Sequence, residues 1–341
     1  MNHPEPLRVG LIGAGGIAGV HAPAWHSLGA DLVVHSLHGG DALAQQYGAS
    51  TAASLDDLWP QVDVVDIITP TATHAEIALA AIAAGKHVVC EKPLARTAAQ
   101  AQQIVDSARN AGVRLFPAHV VRYFPAYAAA YAAVQAGRIG QVAVSRFRRM
   151  SAAPAAPWFF DEAVSGGIVM DQMIHDLDQA AWISGAVTEV FARSITRADD
   201  GVRTASATVT LTHSSGAISH VYGVWGHAHL PFSSSFEIAG SEGVLRHDSA
   251  RDDAVRLALP PTPEVGGYLP AVDVSTSPYT AEIEDFVRVI RAGGSAQVSG
   301  NDGVTAVRLA EAANESIRTG AVVALSATFD AAPAEAEEAH R

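Results

Sequence analysis

Over the first 120 residues, short apolar runs alternate with segments whose apolar positions recur every three to four residues. "LRVGLI" (7–12), "DLVVHS" (31–36), "VDVVDII" (62–68), "KHVVC" (86–90) and "VRLFPAH" (113–119) are rich in Val, Ile and Leu and read as buried strands. Between them, "GGIAGVHAPAWHSLG", "DALAQQYG", "HAEIALAAIAAG" and "TAAQAQQIVDSARNAG" read as helices, each closed by a glycine. Strands and helices alternating at this spacing predict an α/β fold with a doubly wound parallel sheet.

After about residue 122 the pattern changes. A helix over "FPAYAAAYAAVQAG" leads to the alternating strand "QVAVSRFRRM" and a Pro- and Ala-rich loop, "SAAPAAPWFF". In "GGIVMDQMIHDLD" (166–178), Met170, Ile174 and Leu177 form an apolar helical stripe, with Asp171, His175 and Asp178 as a polar stripe one position along. The runs "EVFARSIT", "TASATVTLTH", "GAISHVYGVW", "SSFEIAG", "GVLRHD" and "AVRLAL" then predict a large, open, mostly antiparallel sheet. Two long helices, about 279–292 and 302–319, a short strand "AVVALS" and a low-complexity tail complete the chain.

Composition adds limits. At 341 residues two domains are expected. There is no apolar run of membrane-spanning length, no basic and apolar leader, and one cysteine, Cys90, which together predict a cytoplasmic protein with no membrane partner. A net charge of −13 argues against nucleic-acid binding. Of 22 basic residues, the only lysines are Lys86 and Lys92. In so arginine-biased a chain, a retained lysine points to a need for its compact, titratable ammonium. Lys86 sits just past a helix end, where the dipole accounts for it; Lys92 has no such explanation.

"GLIGAGGIAG" follows the first strand and opens the first helix. Gly13, Gly15 and Ala18 fit the G-x-G-x-x-G/A pattern of a Rossmann turn, in which backbone approaches a pyrophosphate at a helix N-terminus. Gly13, Gly15, Gly16 and Ile17 are therefore expected cofactor contacts. At the end of strand two, where an acid would hold the ribose of NAD, the chain reads His35-Ser36-Leu37-His38, while Asp41 reads as the next N-cap. Either NAD or NADP fits the turn, and the missing acid, with Ser36 and His38 as donors, tips the reading toward NADP. "DIITPTATHAEI" and "VVCEKPLA" put Thr69, Pro70, Thr71 and His74, then Glu91 and Lys92, at the sheet edge where such folds bind ligands. Thr73 reads as a helix cap, and His21 and His26 as surface or packing residues. His227 and His229 in "WGHAH" share a strand face without further ligands, so no metal is expected.

In order along the chain, "GAGGIA", "TPTATH", "EKP" and "GGIVMDQMIHDLD" resemble the glucose–fructose oxidoreductase and inositol dehydrogenase family, Gfo/Idh/MocA. The resemblance extends to "YTAEIEDFVRVIRAG" and "DGVTAVRLAEAANESIRTG" near the end. It implies a Rossmann domain over 1–122, and an α+β substrate-binding and oligomerisation domain over 123–329 with a late helix packing back on the first. The tail 330–341 is expected to be disordered. It implies Lys92, Asp171 and His175 at the reacting carbon of a carbohydrate-like substrate, and a homodimer or homotetramer. His175 would exchange a proton with the substrate hydroxyl, Lys92 would steady the oxygen and Asp171 would orient the ring or the sugar. His119, Arg122 and Trp158 are further substrate-contact candidates, Arg122 with an ion pair at the domain seam as its rival reading. The activity implied is hydride transfer between nicotinamide and a secondary alcohol or ketone of a sugar, cyclitol or polyol. The alternatives are a nicotinamide-dependent glycoside hydrolase using transient oxidation, and a non-catalytic NAD(P)-sensing regulator.

Overall fold

The computed structural model describes residues 5–199, 202–251 and 277–325; the expected strand "AVRLAL" and the tail 330–341 lie outside them. Strands β1 (Arg8–Ile12), β2 (Asp31–His35), β3 (Ser50–Thr51), β4 (Val64–Ile67), β5 (His87–Glu91) and β6 (Leu115–Ala118) form a six-stranded sheet in the order β3-β2-β1-β4-β5-β6. Every pairing in it is parallel. Helices α1 (Ala18–Ser27), α2 (Gly40–Tyr47), α3 (Leu55–Leu58), α4 (His74–Ala83) and α5 (Ala98–Ala111) are the crossovers. β4 is buried at every position, which is why it reads as an unbroken apolar run apart from Asp66. The cap of α2 is Gly39, left-handed at φ 73°, with Asp41 in the first turn instead of at the cap. Thr73 stands at the N-cap of α4 but its side chain makes no capping bond; its hydroxyl turns back to Thr69 Oγ1 and the Pro70 carbonyl at 2.7 and 2.9 Å.

The chain continues through α6 (Pro125–Gln135), β7 (Val142–Ala152), α7 (Glu162–Ser165), α8 (Ile174–Ser184), β8 (Val187–Asp199), β9 (Val202–His213), β10 (Ile218–Gly226), β11 (Ser233–Gly240) and β12 (Val244–Asp248). Helices α9 (Pro278–Ala292) and α10 (Gly300–Thr319) and strand β13 (Val323–Ala324) follow. The second sheet runs β12-β11-β7-β10-β9-β8-β13 and is antiparallel except between β7 and β10. One face carries Phe147, Val209, Leu211, Val221 and Trp225 into the core beneath α8 and α10. α9 returns to the first sheet, where Phe286 stacks on Phe116 with centroids 4.7 Å apart.

The segment expected as one regular helix over 166–178 is not regular. Val169–Met173 is a π-turn, and the α-helix begins only at Ile174. Such turns widen the spiral locally and often mark functional sites. Here the turn lies against β10: a side chain at Gly223 would strike Met173, so glycine lets the two backbones approach.

α9 also carries Glu282 into the interior, fully buried and with no hydrogen-bond partner for either oxygen among the described residues. Burial, above all, holds its carboxyl well above the usual range. The unfolded chain gives up this proton near pH 4.3, roughly, while the folded chain keeps it, so folding is increasingly penalised as pH rises beyond that value. Glu282→Gln is therefore expected to raise Tm by about 2 °C or more near pH 8 and to change it little near pH 4.5. Thermal scans at the two pH values check this; equal shifts would count against a neutral buried carboxyl.

Candidate active site

The carboxyl ends of β1, β4 and β5 open on a cavity of about 540 Å³. From the first sheet come Gly15, Gly16, Ile17, Thr69, Pro70, Thr71, Glu91 and Lys92. The far wall is Arg149 and Ser151 of β7, Trp158 and Phe159, Asp171 and Gln172 of the π-turn, His175 of α8, Phe232, and Tyr279 of α9. Strand alternation turns Arg149 and Ser151 inward beside Phe147.

The first turn fits a dinucleotide. Gly13 stands at φ 112°, and a Cβ there would lie 2.8 Å from the Ile68 carbonyl oxygen, so only glycine makes the turn. At Gly15 and Gly16 a Cβ would meet nothing within 4 Å, which leaves the backbone bare toward the cavity. The α1 N-terminus has no side-chain cap and no acid in its first turn. The N–H groups of Ala18, Gly19 and Val20 bond back to the carbonyls of Gly15, Gly16 and Ile17, so what this end offers a pyrophosphate is the helix dipole and the bare turn before it.

Across the cavity, Lys92 Nζ donates to the Asp171 carbonyl at 2.8 Å and faces its carboxylate Oδ1 at 3.4 Å. Lys92 begins a cis peptide bond to Pro93. The His175 Nδ1 is buried without a hydrogen-bond partner among the described residues. Burial first, then the charges of Lys92, Arg149 and His119, hold this imidazole well below its ordinary value of 6.5, so it stays neutral. Next to it, Asp176 is fully buried and takes a bidentate pair from Arg149 at 2.8 and 2.9 Å, which fixes α8 to β7.

The structure thus brings Lys92, Asp171, His175, Trp158, Gly15, Gly16, Ile17, Thr69, Pro70, Thr71 and Glu91 to one cavity. Other expected site residues lie elsewhere. Ser36 and His38 are at the exposed end of β2, outside the cavity lining, and the Ser36 hydroxyl donates to the His38 carbonyl at 2.7 Å. The buried His74 ring spans the Thr69 and Pro93 carbonyls, 2.8 Å from each, and ties two strand-end loops together. His119 is buried away from the lining, its Nδ1 3.9 Å from Asp178 Oδ2. Arg122 lies outside the cavity lining and makes the ion pair that was its rival reading: it is buried, bonded to Asp178 at 2.9 and 2.6 Å and to Asp302 at 3.0 Å. Breaking such a buried pair costs on the order of 3–5 kcal/mol, so this arginine holds elements together.

His21 is neither a surface nor an ordinary packing residue; it is fully buried among carboxylates. His227 and His229 stack with centroids 5.8 Å apart, and no group of metal-ligating side chains is found among the described residues. No helix among them is long and apolar enough to cross a membrane. Arg149 and Tyr279 carried no periodic signal in the sequence, although the inward parity of Phe147, Arg149 and Ser151 on an alternating strand was readable for the first.

A bare glycine turn at a parallel-sheet edge, facing a lysine, an aspartate and a neutral imidazole, defines a nicotinamide-dinucleotide-dependent oxidoreductase. Comparison with known proteins agrees. Residues 7–119 match the oxidoreductase family with an NAD-binding Rossmann fold, and residues 127–246 match the GFO/IDH/MocA C-terminal domain. The myo-inositol 2-dehydrogenase of Thermotoga maritima is 31% identical over 327 residues, 91% of this chain and 96% of that protein. The solved myo-inositol dehydrogenase of Corynebacterium glutamicum superposes with TM-score 0.80 at 28% identity, covering 94% of this chain and 99% of that one. A levoglucosan dehydrogenase solved with NADH and levoglucosan gives TM-score 0.79 at 26% identity, over 94% of this chain and 100% of that one. The chain belongs to the Gfo/Idh/MocA oxidoreductase family.

Proposed function

We propose that this oxidoreductase acts on a ring secondary alcohol of a cyclitol or sugar, and on the matching ketone in reverse. The observation that carries the reading is the meeting of Lys92 and His175 in the cavity that Gly15, Gly16 and Ile17 also line. When bound, the nicotinamide supplies the hydride acceptor or donor. The neutral His175 takes the proton of the substrate hydroxyl and returns it in the reverse direction. Lys92 steadies the substrate oxygen as its charge changes, and Asp171, which anchors the ammonium, hydrogen-bonds a neighbouring hydroxyl. The walls of Trp158, Phe159 and Phe232 exclude water and take the C–H face of a ring.

We infer further that NADP is used at least as well as NAD, because no carboxylate stands at residues 36–38 to repel a 2′-phosphate. We also infer a homo-oligomer, in which a second copy covers Phe191, Ile195, Ile218 and Tyr222 on the outer face of the second sheet.

The test is a panel of myo-inositol, levoglucosan, simple glycosides and aldoses with each dinucleotide, followed by the absorbance of the reduced ring. Net reduction with at least one of them, and an NADP-to-NAD ratio of kcat/KM of about one or more, are expected. Glycoside cleavage without accumulating reduced dinucleotide would overturn the net oxidoreductase reading. A ratio well below one would overturn the NADP reading.

A further inference from the structure

The first helix carries a histidine that touches neither the cavity nor solvent. His21, Asp66 of β4 and Glu91 of β5 are all buried. His21 Nδ1 lies 2.8 Å from Asp66 Oδ2, which also accepts from Trp25 Nε1 at 2.7 Å. His21 Nε2 faces Glu91 Oε1 at 3.3 Å, an ion pair without the alignment of a hydrogen bond. The other Glu91 oxygen accepts the backbone N–H of Lys92 at 2.8 Å. Both carboxylate oxygens are thus engaged away from the ammonium next along the chain, whose Nζ turns to Asp171. From α9, the Tyr279 ring lies 5.9 Å from the imidazole, and Glu282, kept neutral above all by burial, is within reach of its charge. Burial opposes charge on His21, but Asp66 and Glu91 outweigh it and lift the ring well above its usual range. Burial likewise pushes the Glu91 carboxyl up, and His21 reverses this.

We propose that His21 is a positioning residue for Lys92, which rests on the role proposed above for that lysine. Clamped by Asp66, the ring presents its second N–H side to Glu91 and keeps that carboxylate turned from the ammonium, so that Nζ stays with Asp171 and the substrate oxygen. Without the imidazolium, Glu91 would be an uncompensated buried carboxylate beside Lys92, and an ion pair between neighbours would satisfy it. A lysine captured in that way no longer reaches the reacting oxygen. α1 therefore has two functions along its length: its first turn faces the dinucleotide, and one turn later it sets the lysine.

The test compares the whole enzyme with His21→Gln, Glu91→Gln and the double variant, using kcat, KM, dinucleotide Kd and thermal unfolding between pH 6 and 10. His21→Gln is expected to lower kcat about 10- to 100-fold, with dinucleotide Kd and polyol KM within about threefold, and to move the alkaline limb of the kcat profile. The double variant, in which no carboxylate at position 91 is left to draw the lysine, is expected to recover about tenfold of that loss. A merely structural histidine would lower Tm without this recovery. The proposal is overturned by parent-like kcat in His21→Gln at every pH, or by a double variant no better than the single one. Should His21→Gln not fold, His21→Asn, equally uncharged and smaller, carries the same expectation, and parent-like kcat there overturns it. Failure of the underlying reading looks different: Lys92→Met would then turn over like the parent.

Discussion

Lys92→Met is expected to lower kcat by about 10²- to 10³-fold, the cost of removing one preorganised charge from a transition state, while dinucleotide Kd stays within about threefold. Methionine keeps the length and apolar stem of the side chain but removes the donor that now spans the Asp171 carbonyl and carboxylate at 2.8 and 3.4 Å. The pyrophosphate cradle is made of backbone at Gly15 and Gly16 on another strand end, so it is untouched. Lys92→Arg is expected to fail as well, because the guanidinium is larger, planar and stays protonated. Steady-state kinetics beside calorimetric titration with the dinucleotide separate the two effects. Turnover unchanged in Lys92→Met would remove the lysine from the chemistry.

His175→Asn is expected to cost about 10²- to 10⁴-fold in kcat/KM, the usual worth of a positioned acid–base group. The pH dependence gives the sharper check. With its folded value depressed, the ring is still neutral, and able to accept a proton, as pH falls through 6.5. In the oxidation direction kcat/KM should therefore hold level through that pH and decline only well below it. The same depression makes the charged ring a strong proton donor, so ketone reduction should be favoured by acid. An acid limb centred at or above pH 6.5, or one that survives in His175→Asn, would assign the limb to another group.

The site was legible in the sequence to the extent that its parts are local. The glycine turn, the Glu-Lys-Pro strand end and the Asp-to-His spacing each lie within a few residues, and strand ends of a parallel sheet collect at one edge by topology. What the sequence left open or missed were the readings that needed a distant partner. Arg122, for which the sequence left a substrate contact and an ion pair equally open, is held by Asp178 and Asp302, 56 and 180 residues away. His119 follows the same sheet edge but turns into the interior. His21 read as a surface or packing residue because Asp66 and Glu91 lie on two strands far from it in sequence.

By itself the sequence determined the order of elements, the parallel sheet, the dinucleotide turn and the identity of the lysine, aspartate and histidine at the cavity. The elements, the sheet and the turn follow from apolar periodicity, from glycine's freedom at φ 112° and from the short-range geometry of strand ends; the lysine, aspartate and histidine were brought together by the resemblance to the family. Only the tertiary structure decided where the charges go: the π-turn at Val169–Met173, the Arg149–Asp176 clamp, and the buried imidazole between Asp66 and Glu91. The physical reason is that a buried charge is fixed by whichever opposite charge reaches it through space, and a linear pattern does not record that distance.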